Sequence, residues 1–129
     1  MGRAPQVKLD RGTIVLLNLD PTVGHEQRGV RPCVVISGQE VNVDQRFPLV
    51  CVVPITGTPG EGALYPRLMP NKNGLTKRSY ALVDHLRSVD KRRVRRVFGR
   101  IAATELAALD EGLVLFLGLS DRTSLARHP

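Results

Sequence analysis

The segment Asp20-Pro21-Thr22-Val23-Gly24-His25-Glu26-Gln27-Arg28-Gly29-Val30-Arg31-Pro32 gathers carboxylate, imidazole, amide and guanidinium groups within one short stretch. A planar guanidinium, carried here by Arg28 and Arg31, suits two phosphoryl oxygens at once. An imidazole, as at His25, is the side chain best suited to exchange a proton near neutral pH. Gly24 and Gly29 give the segment places to bend. Antiparallel strands can be joined by two residues, so a connection this long and polar is expected to serve something beyond the turn. Its inventory is that of an anion or polyanion site and points toward RNA.

The elements that must position this segment are two apolar runs, Thr13–Leu19 before it and Cys33–Ser37 after it, read as strands over Thr13–Leu19 and Arg31–Ser37. The dense Ile, Val and Leu content of Thr13–Leu19 predicts burial on both faces. Leu49–Ile55 is the third strand, with Val50-Cys51-Val52-Val53 strongly β-prone. Gly38–Pro48 reads as a polar loop and Ile55–Gly62 as a Gly- and Pro-rich turn. A short strand is predicted at Leu64–Met69. Ser79–Val83 and Leu86–Val89 read as strands, or as one bent strand interrupted near Asp84-His85, and Arg96–Ala102 as the last strand. One helix is predicted, with Thr104 as N-cap, Glu105 in the first turn and Gly118 as terminator. Its stripe Leu106, Leu109, Leu113 and Leu117 fits either the core or a dimer interface. Many short strands and one terminal helix predict a mainly β (α+β) fold, a partly closed barrel with the helix packed on it.

The chain has 129 residues, which predicts one domain, 1–129, with a core of about 11–119 and a polar tail at each end. Net charge is +7, which favours a polyanionic partner. The aromatic fraction is only 4% with no Trp, so Phe47, Tyr65, Tyr80, Phe98 and Phe116 supply a base-stacking platform poorly. Cys33 and Cys51 lie in apolar runs and read as reduced core thiols. With no signal peptide and no apolar run long enough to cross a membrane, a cytoplasmic protein is expected.

Several ordered blocks make the chain resemble the MazF/PemK family of toxin ribonucleases. They are Arg11-Gly12-Thr13-Ile14-Val15, Leu19–Gln27, Gly29-Val30-Arg31-Pro32, Val53-Pro54-Ile55-Thr56, Ser79–Asp90 and Gly99-Arg100-Ile101 before the helix. The resemblance covers about Arg11 to Leu119. It implies an SH3-like barrel, a homodimer, and cleavage of single-stranded RNA at short motifs with no metal or other cofactor. It further implies a MazE-like antitoxin whose acidic tail covers the RNA groove. The family's catalytic Arg and Thr fall on Arg31 and Thr56, and Glu26 joins them as a group able to orient Arg31. The expected RNA-binding residues are Asn18, Leu19, His25, Gln27, Arg28, Lys77, His85 and Arg87.

Two residues depart from the pattern. His85 stands where Gln is usual, and His cannot pair with adenine as a Gln amide does; a different cleavage motif is expected. Asn18 stands where an acidic residue is common. Lys91-Arg92-Arg93-Val94-Arg95-Arg96 is the densest charge cluster, readable as a solvated face or as a docking patch that Lys77-Arg78 extends. Two other functions fit a barrel of this kind: a gyrase poison acting by protein–protein contact, and a catalytically silent RNA binder. The first is disfavoured by the lack of a C-terminal Trp, the second by Arg31 and Thr56 together.

Overall fold

The computed structural model describes residues 9–119. Seven antiparallel strands are present, β1 (Thr13–Asn18), β2 (Val30–Val35), β3 (Leu49–Thr56), β4 (Arg67–Leu68), β5 (Ser79–Ala81), β6 (Arg87–Asp90) and β7 (Val94–Arg100). Helix α1 (Gln39–Val43) joins β2 to β3, and α2 (Ala103–Leu117) follows β7. The strands run β4-β5-β3-β2-β1-β7 across one sheet, and β6 also pairs with β3. The sheet curls into a half-barrel with α2 packed on it.

Alternation along the central strands sends side chains to two separate cores. Val15, Leu17 and Leu19 join Cys33, Val35, Val50, Val52 and Val89 on one face. Ile14, Val34, Val53 and Ile55 join Ile101, Leu109 and Leu113 on the other. The β1 run is therefore buried on both faces, as its composition predicts. Burial pushes the Cys33 thiol up to about 12, which leaves it a core residue with almost no thiolate. Both cysteines are free thiols.

β5 and β6 lie along the same edge of β3, and the chain breaks between them into a 3-10 turn, Val83–His85. The break faces Pro54, which has no N–H to donate to a ladder; its carbonyl accepts from Leu82 N at 2.8 Å. Asp84 and His85 are thus lifted out of a strand and onto the rim of the sheet.

Four sequence expectations are corrected. Gly38–Pro48 is not all loop but holds α1, whose five residues are too few to show a helical period. Lys91 Nζ donates to the carbonyls of Val41 (2.7 Å) and Asp44 (2.9 Å) at its C-terminal end. The N-terminal polar tail, expected over Met1–Leu9, does not take in Leu9, which is buried in a core. Thr104 is not the N-cap. Ala102 holds that place, and Glu105 Oε1 reaches back to accept from Ala102 N at 3.0 Å, the Glu half of a capping box. Glu105 Oε2 also accepts from Met69 N at 2.8 Å, so the carboxylate serves the helix and a neighbouring turn together. Finally, the predicted Leu64–Met69 strand shortens to the two residues of β4.

The helix stripe divides. Leu109 and Leu113 are core, Leu106 packs against them, and Leu117 is exposed. Gly118 ends α2 in the left-handed conformation at φ 69°. Gly112 lets α2 lie against the loop before β4: a Cβ there would stand 2.6 Å from the Ala63 carbonyl oxygen. The C-terminal tail expected over Asp121–Pro129, and the rest of the N-terminal one, lie outside the described residues.

Candidate RNA groove

Three depressions join into a groove along the rim of the sheet. The first, about 260 Å³, lies beneath the Asp20–Gly29 loop and is lined by Leu19, His25, Glu26, Gln27, Pro54, Asp84, His85 and Arg87. The second, about 370 Å³, shares Gln27 and His85 with it and adds Tyr65 and Thr56. The third, about 320 Å³, shares Thr56 and adds Arg31, Gly57, Lys77 and Phe98. Nine of the eleven site residues expected from sequence line this groove.

Arg31, Thr56 and Lys77 come together in the third depression. Arg31 is the second residue of β2 and is exposed; its Nε donates to the Arg28 carbonyl at 3.0 Å, which anchors the guanidinium while its two outer nitrogens stay available. Thr56 ends β3, and its Oγ1 accepts from Thr58 N at 3.1 Å. That bond fixes the oxygen and leaves the hydroxyl proton free to donate. Lys77 lies over Gly57: a Cβ there would meet its Cε at 2.7 Å and its Nζ at 2.8 Å. The missing side chain of Gly57 is what admits an ammonium beside Thr56.

Glu26 does not reach Arg31. Its Oε1 accepts from Val23 N at 2.5 Å, so it shapes the loop that roofs the first depression. The positive φ of Gly24 and Gly29, 59° and 74°, bends that loop. Its root is held tightly. Leu19 N donates to the Gly29 carbonyl at 2.8 Å, and Gly29 N to Asp20 Oδ1 at 3.2 Å. Arg87 donates to the Leu19 carbonyl at 2.7 Å, and Arg93 to those of Asp20 (2.8 Å) and Asn18 (3.3 Å). Arg87 therefore positions the loop as well as lining the groove.

Asn18 and Arg28 are not in the groove. Asn18 lines a separate depression with Asp20, Arg92, Arg93 and Arg95, and its Oδ1 accepts from Asp20 N at 3.0 Å. Arg28 is exposed on the loop and touches the site through its carbonyl.

The basic run resolves into individual tasks. Lys91 closes α1, and Arg93 holds the loop root. Arg92 pairs with Asp90 at 3.0 Å; the hydrogen bonds from Arg92 hold the Asp90 carboxyl down at about 2. Arg96 stacks over the Phe98 ring at 4.9 Å. Arg95 is exposed and lines the depression beside Asn18.

Sequence reading missed Asp84 and Tyr65. Tyr65 Oη donates to Asp84 Oδ2 at 2.8 Å, which raises the tyrosine above its ordinary value through that bond and the charge of Asp84. The residues stand 19 apart in sequence on a turn and a 3-10 segment, with no spacing signal to connect them.

Residues 10–117 match the family described as the PemK-like, MazF-like toxin of type II toxin–antitoxin systems. This chain belongs to that family. Among curated relatives, the PemK/MazF-like chain is 36% identical over 115 residues to endoribonuclease MazF9 of Mycobacterium tuberculosis, covering 84% of this chain and 96% of the relative. Among solved structures, it superposes on MazF (Form-I) from Deinococcus radiodurans with TM-score 0.72 and 33% identity, covering 84% of this chain and 96% of that one. The MazE–MazF (Form-II) structure from the same organism gives TM-score 0.69 and 32% identity, over 88% and 99% of the two chains. The PemK/MazF-like half-barrel and its terminal helix are those expected from sequence. Among the described residues, no helix is long and apolar enough to cross a membrane.

Proposed function

We infer that this toxin-family endoribonuclease cuts single-stranded RNA in the third depression of the groove, by attack of the substrate's 2′-oxygen on the adjacent phosphorus. The P–O5′ bond breaks as the 2′-O–P bond forms, leaving a 2′,3′-cyclic phosphate and a 5′-OH. The 2′-OH loses one proton and the departing 5′-oxygen gains one.

The observation that carries this reading is the convergence of Arg31, Thr56 and Lys77 on one depression. The outer nitrogens of Arg31 face two phosphoryl oxygens, Thr56 donates its hydroxyl proton to the same group, and Lys77 adds a second positive charge. Charge that builds on the phosphoryl oxygens is met by donors already in place. Arg31 acts as an electrostatic group and not as a base, because a guanidinium does not give up its proton in a protein. The first and second depressions continue the groove and hold the flanking nucleotides, with Gln27 and His85 at their junction.

A messenger-RNA substrate implies action in the cytoplasm and growth arrest. The solved MazE–MazF pair supports a MazE-like antitoxin as partner, its acidic tail complementing the cations of the groove. A homodimer is supported by the apolar end of α2, where Val114, Leu115, Phe116 and Leu117 are all exposed.

The test is incubation with a long unstructured RNA in EDTA, with mapping of new ends. Discrete 5′-OH ends are expected. Arg31→Ala should slow cutting roughly 100-fold, as loss of a donor to transition-state charge does elsewhere. Rates within a few-fold of the parent protein would overturn the assignment of Arg31.

A further inference from the structure

His85 lies at the junction of the first two depressions and lines both. Its neighbour Asp84 is fixed from the other side, because the Tyr65 hydroxyl occupies Oδ2. Tyr65 is itself backed by Gly60, where a Cβ would stand 2.9 Å from its ring. The remaining oxygen, Asp84 Oδ1, is buried and has no hydrogen-bond partner among the described residues. It stands 3.7 Å from His85 Nε2. An unmet buried carboxylate oxygen is costly, and a small rotation of the imidazole would bring an Nε2–H into bonding distance.

A neutral imidazole carries one proton on one of its two nitrogens, and a carboxylate can only accept. Asp84 Oδ1 therefore selects the Nε2–H form, which makes Nδ1 the acceptor. Nδ1 is neither hydrogen-bonded nor buried among the described residues, so a ligand in the groove can reach it. Gln27 borders the same two depressions and carries an amide that can offer an N–H into the space that His85 faces. An acceptor next to a donor matches an amine next to a ring nitrogen, the edge that adenine (N6, N1) and cytosine (N4, N3) present and uracil does not.

We propose that Asp84, positioned by Tyr65, holds His85 as the Nε2–H tautomer, so that Nδ1 selects adenine or cytosine, whose exocyclic amine adjoins an unprotonated ring nitrogen, at one position of the cleavage motif. The proposal rests on the RNA-cleavage reading above. Asp84 and Tyr65 are positioning residues, and His85 is the residue that reads the base.

Nitrogen-15 NMR of the imidazoles in the free protein at alkaline pH tests the tautomer without any RNA. His85→Gln identifies the signal by its loss. Wild type should show the proton on Nε2. In Asp84→Asn, Tyr65 still claims an oxygen, which turns the new amide N–H2 toward His85; the proton should move to Nδ1. Cleavage is read in parallel. In wild type, one motif position should lose about tenfold in rate when purine riboside or pyrimidin-2-one riboside removes only the amine, the scale of one base-edge contact. In Asp84→Asn, the same position should prefer a carbonyl edge, guanine or uracil.

A wild-type proton on Nδ1, or one unmoved by Asp84→Asn, would overturn the proposal. So would identical motifs for wild type, Asp84→Asn and His85→Gln. RNA left uncut by wild type would overturn the nuclease reading and base selection with it, while the nitrogen signals still decide the tautomer. The two failures are thereby told apart.

Discussion

Gly57→Ala should weaken cleavage by displacing Lys77, a residue it leaves intact. The new Cβ would stand 2.7 Å from Lys77 Cε and 2.8 Å from Nζ. Ordinary contact needs about 3.5–4.0 Å, so the ammonium must move by about 1 Å at least, and a change of rotamer moves it several times further. Lys77 is exposed, so the move costs the fold little. Gly57 is not among the glycines with positive φ, and Ala there restricts the unfolded chain, an effect of about 0.4–1 kcal/mol in favour of folding. A lysine about 5 Å from a phosphate charge contributes about 0.8 kcal/mol in bulk water and about 3 kcal/mol at an effective dielectric constant near 20. At an exposed site the lower half of that range applies, and cleavage should fall roughly 5- to 10-fold. The slope of log affinity against log salt should shrink by about 0.7, the share of one contact to single-stranded RNA. Rates and salt slopes would be measured for Gly57→Ala, Lys77→Ala and the double variant, with melting curves alongside. If the glycine acts through the lysine, the double variant behaves like Lys77→Ala alone. Full additivity, or a Gly57→Ala protein with wild-type rate and salt slope beside an impaired Lys77→Ala, would refute the reasoning.

Three other perturbations probe the frame. Gly112→Ala sets a Cβ 2.6 Å from the Ala63 carbonyl, a backbone atom that cannot swing aside; denaturant titration should show a loss of about 1–3 kcal/mol, the usual cost of overpacking. Arg93→Ala removes two hydrogen bonds at the loop root, and limited proteolysis should nick the Asp20–Gly29 loop several times faster while β7 stays protected. Asp90 has a folded value of about 2, depressed by its hydrogen bonds from Arg92, against about 3.9 for an unfolded Asp. Its contribution is therefore present above pH of about 4 and lost as pH falls through about 2. The melting temperature of wild type should exceed that of Asp90→Asn at neutral pH, and the gap should close by pH 2.

The strands were legible because their side chains obey a period. Thr13–Leu19 and Val50–Val53 carry enough Ile, Val and Leu to announce two-sided burial, and two cores lie on either side of them. The break near Asp84-His85 was legible for a similar local reason. Helix α1 was hidden, since five residues closed by a lysine 50 positions from Val41 leave no local trace. The N-cap was hidden because Thr104 is a better capping type than Ala102, and the donor is instead met by Glu105 from inside the helix. In the site, the polar loop could be read from residue types, and the Arg31–Thr56 pair was offered by the family resemblance alone. The partnerships could not: Glu26 serves Val23, and the basic run serves α1, Asp90, the loop root and Phe98. Charge in a sequence shows that cations exist; only the fold shows which of them already have a carbonyl to hold.

The pairing of β1 with β7 bears on how the protein is made. Thr13 sits opposite Arg100, and Phe98 of β7 closes one side of the depression that holds Arg31 and Thr56. A ribosome has delivered Arg31, Thr56 and Lys77 well before it delivers that wall, and so long a closure is slow to form. The depression that holds Arg31 and Thr56 is thus completed only when β7 has emerged and closed on β1, so residues made early wait on a strand made late.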